Sequence, residues 1–298
     1  MKRCPICARS YGVEQRFCSV HGLPLVEEID VASREPGELS GLVLDSRYRL
    51  GGVAGRGGMG IVYEAENLRI GRRCAVKVLH RDLHVDPKMR MRLFREVQAT
   101  SRVRHPNVVE ILDFGDDEKV GSYLVMEFLD GQSLAEVIRA NAPLTISLIL
   151  KVGVQLTCAL TATHSHGLIH RDLKPSNVRL LPNGQVKVLD FGLVKPYEPG
   201  TAKDFVTITT GGIAFGTPWY MSPEQATFQP LDPRTDIYSM GVILYEMATG
   251  RPPFTGDNPL ELIDAHRSLP VPLPGKLDPP VSVAPPLEML ILKALAKE

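Results

Sequence analysis

Ile169-His170-Arg171-Asp172-Leu173-Lys174-Pro175-Ser176-Asn177, followed thirteen residues after Asn177 by Asp190-Phe191-Gly192, is the stretch on which the reading of this chain turns. On its N-terminal side, Ser147 to His166 carries Leu148, Val152, Leu156 and Leu160 four apart, which predicts a helix, and Gly167 stops it. On its C-terminal side, Thr235 to Thr249 is apolar on most sides, with Ile237, Met240, Val242, Ile243, Leu244 and Met247. That pattern predicts a buried helix, closed by Gly250 and Pro252. Further upstream the pattern changes. Ile61 to Ala65, Cys74 to Leu79 and Ser122 to Phe128 are short and largely apolar or β-branched, and read as strands. Asp86-Pro87 starts a helix on which Met89, Leu93 and Val97 recur. Strands first and helices second predict an α+β protein with two lobes.

Gly55-Arg56-Gly57-Gly58-Met59-Gly60-Ile61-Val62 contains G-x-G-x-x-G. Glycine backbone approaches phosphate oxygens closely and offers N–H donors to them. The rival reading is a dinucleotide fingerprint, which needs a helix after the third glycine. Here Ile61-Val62-Tyr63 reads as a strand, so the loop is a hairpin. No G-K-[ST] occurs, which excludes a Walker loop. Lys77 lies inside an apolar strand, where an unpaired ammonium is costly. It therefore needs an anionic partner. Glu96, on the helix that starts near Asp86, is one candidate, and phosphate groups are the other.

In chain order, the Gly-rich loop, the strand Lys, the helix Glu, H-R-D-L-K-x-x-N, D-F-G and Ser222-Pro223-Glu224 resemble the protein kinases. The loop sequence and Ser222-Pro223-Glu224-Gln225 resemble the bacterial eukaryotic-like (Hanks-type) Ser/Thr branch. The resemblance covers about residues 48–298 and implies a bilobal fold, a strand-rich lobe over 48–128 and a helical lobe over 129–298. It implies transfer of the ATP γ-phosphate to protein Ser/Thr hydroxyls, with Mg²⁺. Asp172 is then the base for the substrate hydroxyl, and Lys174 neutralises charge on the transferring phosphoryl. Lys77 binds the α and β phosphates and Glu96 holds Lys77. Gly55, Gly57 and Gly60 cover the phosphates. Val62 and Ala75 roof the adenine, Met126 is the gatekeeper, and Glu127 and Leu129 offer hinge backbone. Asn177 and Asp190 are the Mg²⁺ ligands. Lys174 two residues after Asp172, and Gly216-Thr217-Pro218 before Ser222, favour Ser/Thr over Tyr as acceptor. Arg171 implies a grip on an activation-segment phosphate, and Thr207, Thr209 and Thr210 are the expected autophosphorylation sites. Asp236 braces the catalytic-loop backbone. Because all these side chains are present, an ATP-binding scaffold without transfer is the weaker alternative.

Two departures from the pattern stand out. Arg179 occupies a position that is apolar in the family, and its stem is expected to pack there with the guanidinium in solvent. The helical pattern Leu290 to Glu298 has no stop signal, and the family's Arg partner for Glu224 is absent from the sequence. The chain therefore reads as a fragment, with Glu224 short of a partner. His164 and His166 end a helix and read as partners of its C-terminal dipole. Cys74 and Cys158 read as core residues.

Composition narrows the rest. Lys plus Arg and Asp plus Glu are both 34, so the formal net charge is zero and no charge bias points to nucleic acid. No apolar stretch reads as a membrane span and no h-region comes after Met1, so a cytoplasmic protein is expected. Residues 1–26 hold Cys4, Cys7, Cys18 and His21 as C-x₂-C, ten residues, C-x₂-H. Three thiolates and an imidazole suit tetrahedral Zn²⁺, which would stabilise a segment too short to fold alone. This is expected to be a structural, zinc-ribbon-like module that meets a protein partner. Residues 27–47, rich in acids, Gly and Pro, read as a linker.

Overall fold

The computed structural model describes residues 2–3, 9–12, 14–15, 17–20, 26–27, 39–80, 87–117, 119–190 and 218–297. The chain divides into two units, residues 1–97 with 110–129, and residues 98–109 with 130–298.

The first unit is built on a six-stranded antiparallel sheet of order β4-β5-β6-β7-β9-β8. Its strands are β4 (Val43–Leu44), β5 (Tyr48–Gly57), β6 (Gly60–Asn67), β7 (Arg72–Leu79), β8 (Ile111–Asp117) and β9 (Gly121–Glu127). Central β7 is buried without interruption from Cys74 to Leu79. A strand covered on both faces needs no polar alternation, so its sequence reads as one apolar run around Lys77. Leu44, Leu50, Tyr63, Val76 and Val125 form the core of this unit. Leu42 and Leu44 are also in that core, and β4 pairs with β5 through Val43↔Arg49 and Leu44↔Tyr48. The linker expected over 27–47 therefore ends by about residue 39. The run Leu42-Val43-Leu44 is too short to show a period, yet it suffices to add an edge strand. Helix α1 spans Pro87–Thr100 and buries Leu93 and Val97. Three further short strands, β1 (Lys2–Arg3), β2 (Ser10–Tyr11) and β3 (Val26–Glu27), make an antiparallel sheet of order β2-β1-β3.

The second unit is helical. Its helices are α2 (Leu134–Asn141), α3 (Ile146–His164), α4 (Pro223–Ala226), α5 (Arg234–Thr249), α6 (Pro259–Ser268) and α7 (Pro285–Ala294). Ser133 caps α2 with a reciprocal Glu136 box, and Gly250 closes α5 at φ 84°, where glycine carries no Cβ penalty. Ile149, Val152, Leu156 and Leu160 of α3 pack with Val242, Ile243 and Met247 of α5 in one core. At 19 residues, α3 is long and apolar enough to cross a membrane by length and composition. One face of it is taken up by that core, while Ile146, Leu150 and Val154 on another are exposed. Cys158 falls on the other face and is exposed, unlike buried Cys74. Residues 98–109 belong to this unit and not to the strand-rich one. Val103 and Val108 join the helical core, and the Asn107 amide donates to the Val186 carbonyl at 2.8 Å. A small sheet of β10 (Gln132–Ser133), β11 (Val178–Leu180) and β12 (Val186–Val188) completes the unit.

Candidate active site

In the strand-rich unit, β5 and β6 form a hairpin whose last pairs are Gly55↔Val62 and Gly57↔Gly60. A strand comes directly after the third glycine, which removes the dinucleotide reading. The glycines differ in what they protect. A Cβ at Gly60 would lie 2.1 Å from the Val78 carbonyl oxygen, so Gly60 is demanded by the closure of β6 on β7. A Cβ at Gly55 or Gly58 would meet nothing within 4 Å. The fold itself does not require those two, and the room they leave fits a phosphate approached by bare backbone.

Lys77 is 4% exposed and sits between Val62 on β6 and Leu124 on β9. Ala75 pairs with Met126, and both are buried. Side chains two apart share a face of a strand, so Arg73, Ala75 and Lys77 of β7 face the same way. Glu127 is fixed twice. Its N–H donates to the Glu110 carbonyl at 3.0 Å, and its Oε1 accepts the Glu110 N–H at 2.8 Å. Leu129 is the last residue of this unit. Glu96 lies half-buried on α1.

In the helical unit, the loop between α3 and β11 is organised around a buried carboxylate. Asp236, in the first turn of α5, is fully buried. It accepts the backbone N–H of His170 at 2.8 Å and of Arg171 at 3.0 Å, and bonds to His164 Nε2 at 2.7 Å. Arg171 sits at φ 63°, a left-handed conformation that costs a non-glycine residue about 1–2 kcal/mol. The two N–H bonds to Asp236, and the Gln225 amide donating to the Arg171 carbonyl at 2.8 Å, hold it there. The buried His170 ring bonds Nε2 to the Leu189 carbonyl at 2.8 Å and Nδ1 to the Asp172 N–H at 3.3 Å. Only the tautomer with hydrogen on Nε2 satisfies both.

This bracing aims Asp172. Its Oδ2 accepts from Lys174 Nζ at 2.9 Å, and its backbone carbonyl accepts from Asn177 Nδ2 at 2.9 Å. Asn177 is 8% exposed, and its own carbonyl accepts the Leu189 N–H at 2.8 Å. The residue after Leu189 is Asp190, at φ 49°. One loop thus brings Asp172, Lys174, Asn177 and the approach to Asp190 together: a carboxylate, an ammonium beside it, and an amide whose donor end is already engaged.

Several expectations are corrected here. His164 does stand in the last turn of α3, and it has in addition a specific partner in Asp236, 72 positions away. Glu224 is not short of a partner, since Thr235 Oγ1 donates to its Oε1. The Arg179 guanidinium does not go to solvent but donates from Nη1 to the Gly131 carbonyl at 2.8 Å. His164, Gln225 and Thr235 were not singled out as site-bracing residues, and nothing in local periodicity marks them. Phe191, Gly192, Thr207, Thr209, Thr210, Thr217, Cys4, Cys7 and His21 lie outside the described residues. Among the described residues, no group of three or more His, Cys, Asp or Glu side chains is placed to hold a metal ion.

A strand-rich unit with a glycine hairpin and a buried Lys, and a helical unit with a braced Asp-Lys-Asn loop, are the parts of a protein of the protein-kinase class. The chain belongs to the protein kinase family, whose domain matches residues 48–297. It is 40% identical over 258 residues to a protein of Streptomyces coelicolor described as a probable serine/threonine-protein kinase, covering 86% of this chain and 37% of that protein. It is likewise 40% identical to the serine/threonine-protein kinase PknB of Mycolicibacterium smegmatis, over 85% of this chain and 40% of the relative. With the serine/threonine-protein kinase pkn3 of Myxococcus xanthus the identity is 38%, over 87% of this chain and 48% of the relative. The chain thus spans less than half the length of these curated relatives.

Proposed function

We propose that this chain is an active Ser/Thr protein kinase that transfers the ATP γ-phosphate to Ser and Thr hydroxyls of protein substrates. The observation that supports this most is the Asp172 carboxylate, held on a strained, fully braced loop with Lys174 at 2.9 Å. A substrate hydroxyl donates a hydrogen bond to Asp172. As its oxygen attacks the γ-phosphorus and the bond to ADP breaks, the hydroxyl proton passes to Asp172. Lys174 neutralises charge on the transferring phosphoryl and keeps the carboxylate oriented. Phosphoryl transfer asks for positioning and electrostatics more than for covalent help, which is what these residues supply.

Asn177 and Asp190 fit a hard cation. The Asn177 amide spends its donor end on the Asp172 carbonyl, so its side-chain oxygen is the atom left for a metal, and Asp190 directly follows Leu189, whose N–H bonds to the Asn177 backbone carbonyl. Mg²⁺ held there would neutralise phosphate charge. Lys77, oriented by Glu96, binds the α and β phosphates, and Gly55, Gly57 and Gly60 cover them. Val62, Ala75 and Met126 enclose adenine, and Glu127 and Leu129 bond to its edge. Autophosphorylation on Thr207, Thr209 or Thr210 activates the enzyme, with Arg171 as the phosphate's grip. Cytoplasmic placement is part of the same reading.

The N-terminal module binds structural Zn²⁺ through Cys4, Cys7, Cys18 and His21, and serves as a protein-docking element. Two observations favour it. Cys18 is 2% exposed, and its Sγ accepts the Val20 N–H at 3.4 Å and lies 3.1 Å from the Tyr11 hydroxyl, contacts that suit a thiolate. The cysteine pair and the Cys/His pair also fall, in sequence, in the two connections of the β2-β1-β3 sheet. Stoichiometric zinc by metal analysis is expected, and its absence would remove this part.

The test of the whole is phosphate transfer from Mg·ATP to a generic Ser/Thr substrate, beside Asp172→Asn, with phosphosites mapped. Transfer that vanishes in the variant supports the reading. A parent that binds ATP without transferring makes the chain a nucleotide-binding scaffold instead.

A further inference from the structure

The register of β7 on β9 runs Lys77↔Leu124, Ala75↔Met126, Cys74↔Glu127 and then stops as backbone pairing. One step further, Arg73 stands opposite Phe128. There the ladder continues through side chains. The Arg73 guanidinium carbon lies 3.7 Å from the centre of the Phe128 ring, the distance of a close cation–π stack. Glu64, on the neighbouring strand β6, holds the guanidinium from the other side, with Oε1 accepting from Nε at 2.6 Å. Guanidinium is planar and weakly hydrated, so it can stack on a ring and bond to a carboxylate at once, which an ammonium does poorly.

The location gives this stack its meaning. Arg73, Ala75 and Lys77 share one face of β7, and their cross-strand partners on β6, Val62 and Glu64, share it too. That face carries the groups proposed for adenine and phosphate. Phe128 lies between Glu127 and Leu129, the two residues proposed to bond adenine. Glu127 is already fastened through Glu110. Phe128 is fastened through Arg73.

We infer that Arg73, oriented by Glu64, is a positioning residue for nucleotide binding: it clamps Phe128 and so sets the backbone of the base-reading segment. The inference rests on the kinase reading of that segment. Arg73 touches no nucleotide and takes no part in transfer, so its loss weakens nucleotide affinity and leaves the transfer step alone.

The experiment is a double-mutant cycle on ADP affinity, measured by calorimetry with the full chain. Arg73→Ala and Phe128→Leu are each expected to weaken ADP binding about two- to fivefold, the worth of an exposed cation–π pair. The combined variant is expected to be no weaker than the worse single one, because either change already breaks the stack. Phe128→Tyr keeps a ring and keeps the affinity. KM for ATP rises with the loss of affinity, while kcat at saturating ATP stays within twofold. Effects that multiply in the combined variant, or an Arg73→Ala that binds ADP like the parent, overturn the inference and leave the kinase reading intact. A parent chain that binds no nucleotide overturns both.

Discussion

Asp236→Asn is the sharpest test of how the catalytic loop is held. The side chain is fully buried and accepts two backbone N–H groups, at 2.8 and 3.0 Å, as well as bonding to His164 Nε2 at 2.7 Å. Asn has nearly the same shape but one acceptor oxygen in place of two. Placed to keep His170 and His164, its NH₂ faces the Arg171 N–H; turned round, it faces the other two. At least one buried donor loses its partner, which costs about 1–3 kcal/mol, and the bonds that survive lose their charge assistance. A total near 3 kcal/mol corresponds to a fall of roughly 6–12 °C in Tm for a domain of this size. The consequence for transfer is larger. Arg171 at φ 63° is strained by about 1–2 kcal/mol and stays there because Asp236 and Gln225 hold it. Once released, Arg171 relaxes and carries Asp172 with it, and misplacement by about 1 Å lowers kcat on the order of 100-fold. Thermal unfolding followed by circular dichroism, and kcat at saturating ATP, measure the two effects. A Tm within about 2 °C of the parent, together with kcat within threefold, would refute this account of the loop.

Other perturbations separate fold from chemistry. Gly60→Ala puts a Cβ 2.1 Å from backbone oxygen of Val78, and should cost about 1–3 kcal/mol of stability. Gly58→Ala meets open space, so its unfolding midpoint should stay within about 0.5 kcal/mol while ATP binding weakens; equal stabilities for the two variants would contradict the division drawn between these glycines. Thr235→Val removes the donor from buried Thr235 to half-buried Glu224 and should cost about 1–2 kcal/mol, which Thr235→Ser restores in a urea melt. His266 is fully buried, and burial, then the charge of Lys297, push its pKa down to about 4 from an ordinary 6.5. Between those values the unfolded chain binds the proton and the folded chain does not, so stability falls as pH drops from 6.5 toward 4, by about 3 kcal/mol from this group alone. His266→Gln should flatten that part of the pH–stability curve; parallel curves would show that other groups dominate it.

The sequence by itself determined the fold class and the core of the catalytic loop. Strands β6, β7 and β9, and helices α3 and α5, stand within two residues of where periodicity predicted them, because a buried face must repeat with the period of its own element. Asp172, Lys174 and Asn177 could be named together because they lie within six residues of one another in one motif that resembles the family's; that they touch is a finding of the structure. The glycine hairpin was legible because Ile61-Val62-Tyr63, directly after Gly60, has an unmistakable strand pattern. The tertiary structure alone decided the partners. His164 and Asp236 are 72 positions apart, Arg73 meets Phe128 across 55, and Arg179 reaches Gly131 across 48. Residues 98–109 joined the helical unit, and Leu42 and Leu44 joined the strand-rich core, against their local composition. Local sequence records which face of an element must leave water. Which group meets it there depends on how the rest of the chain packs, and a hydrogen bond or a ring stack leaves no period along the chain for either partner to show.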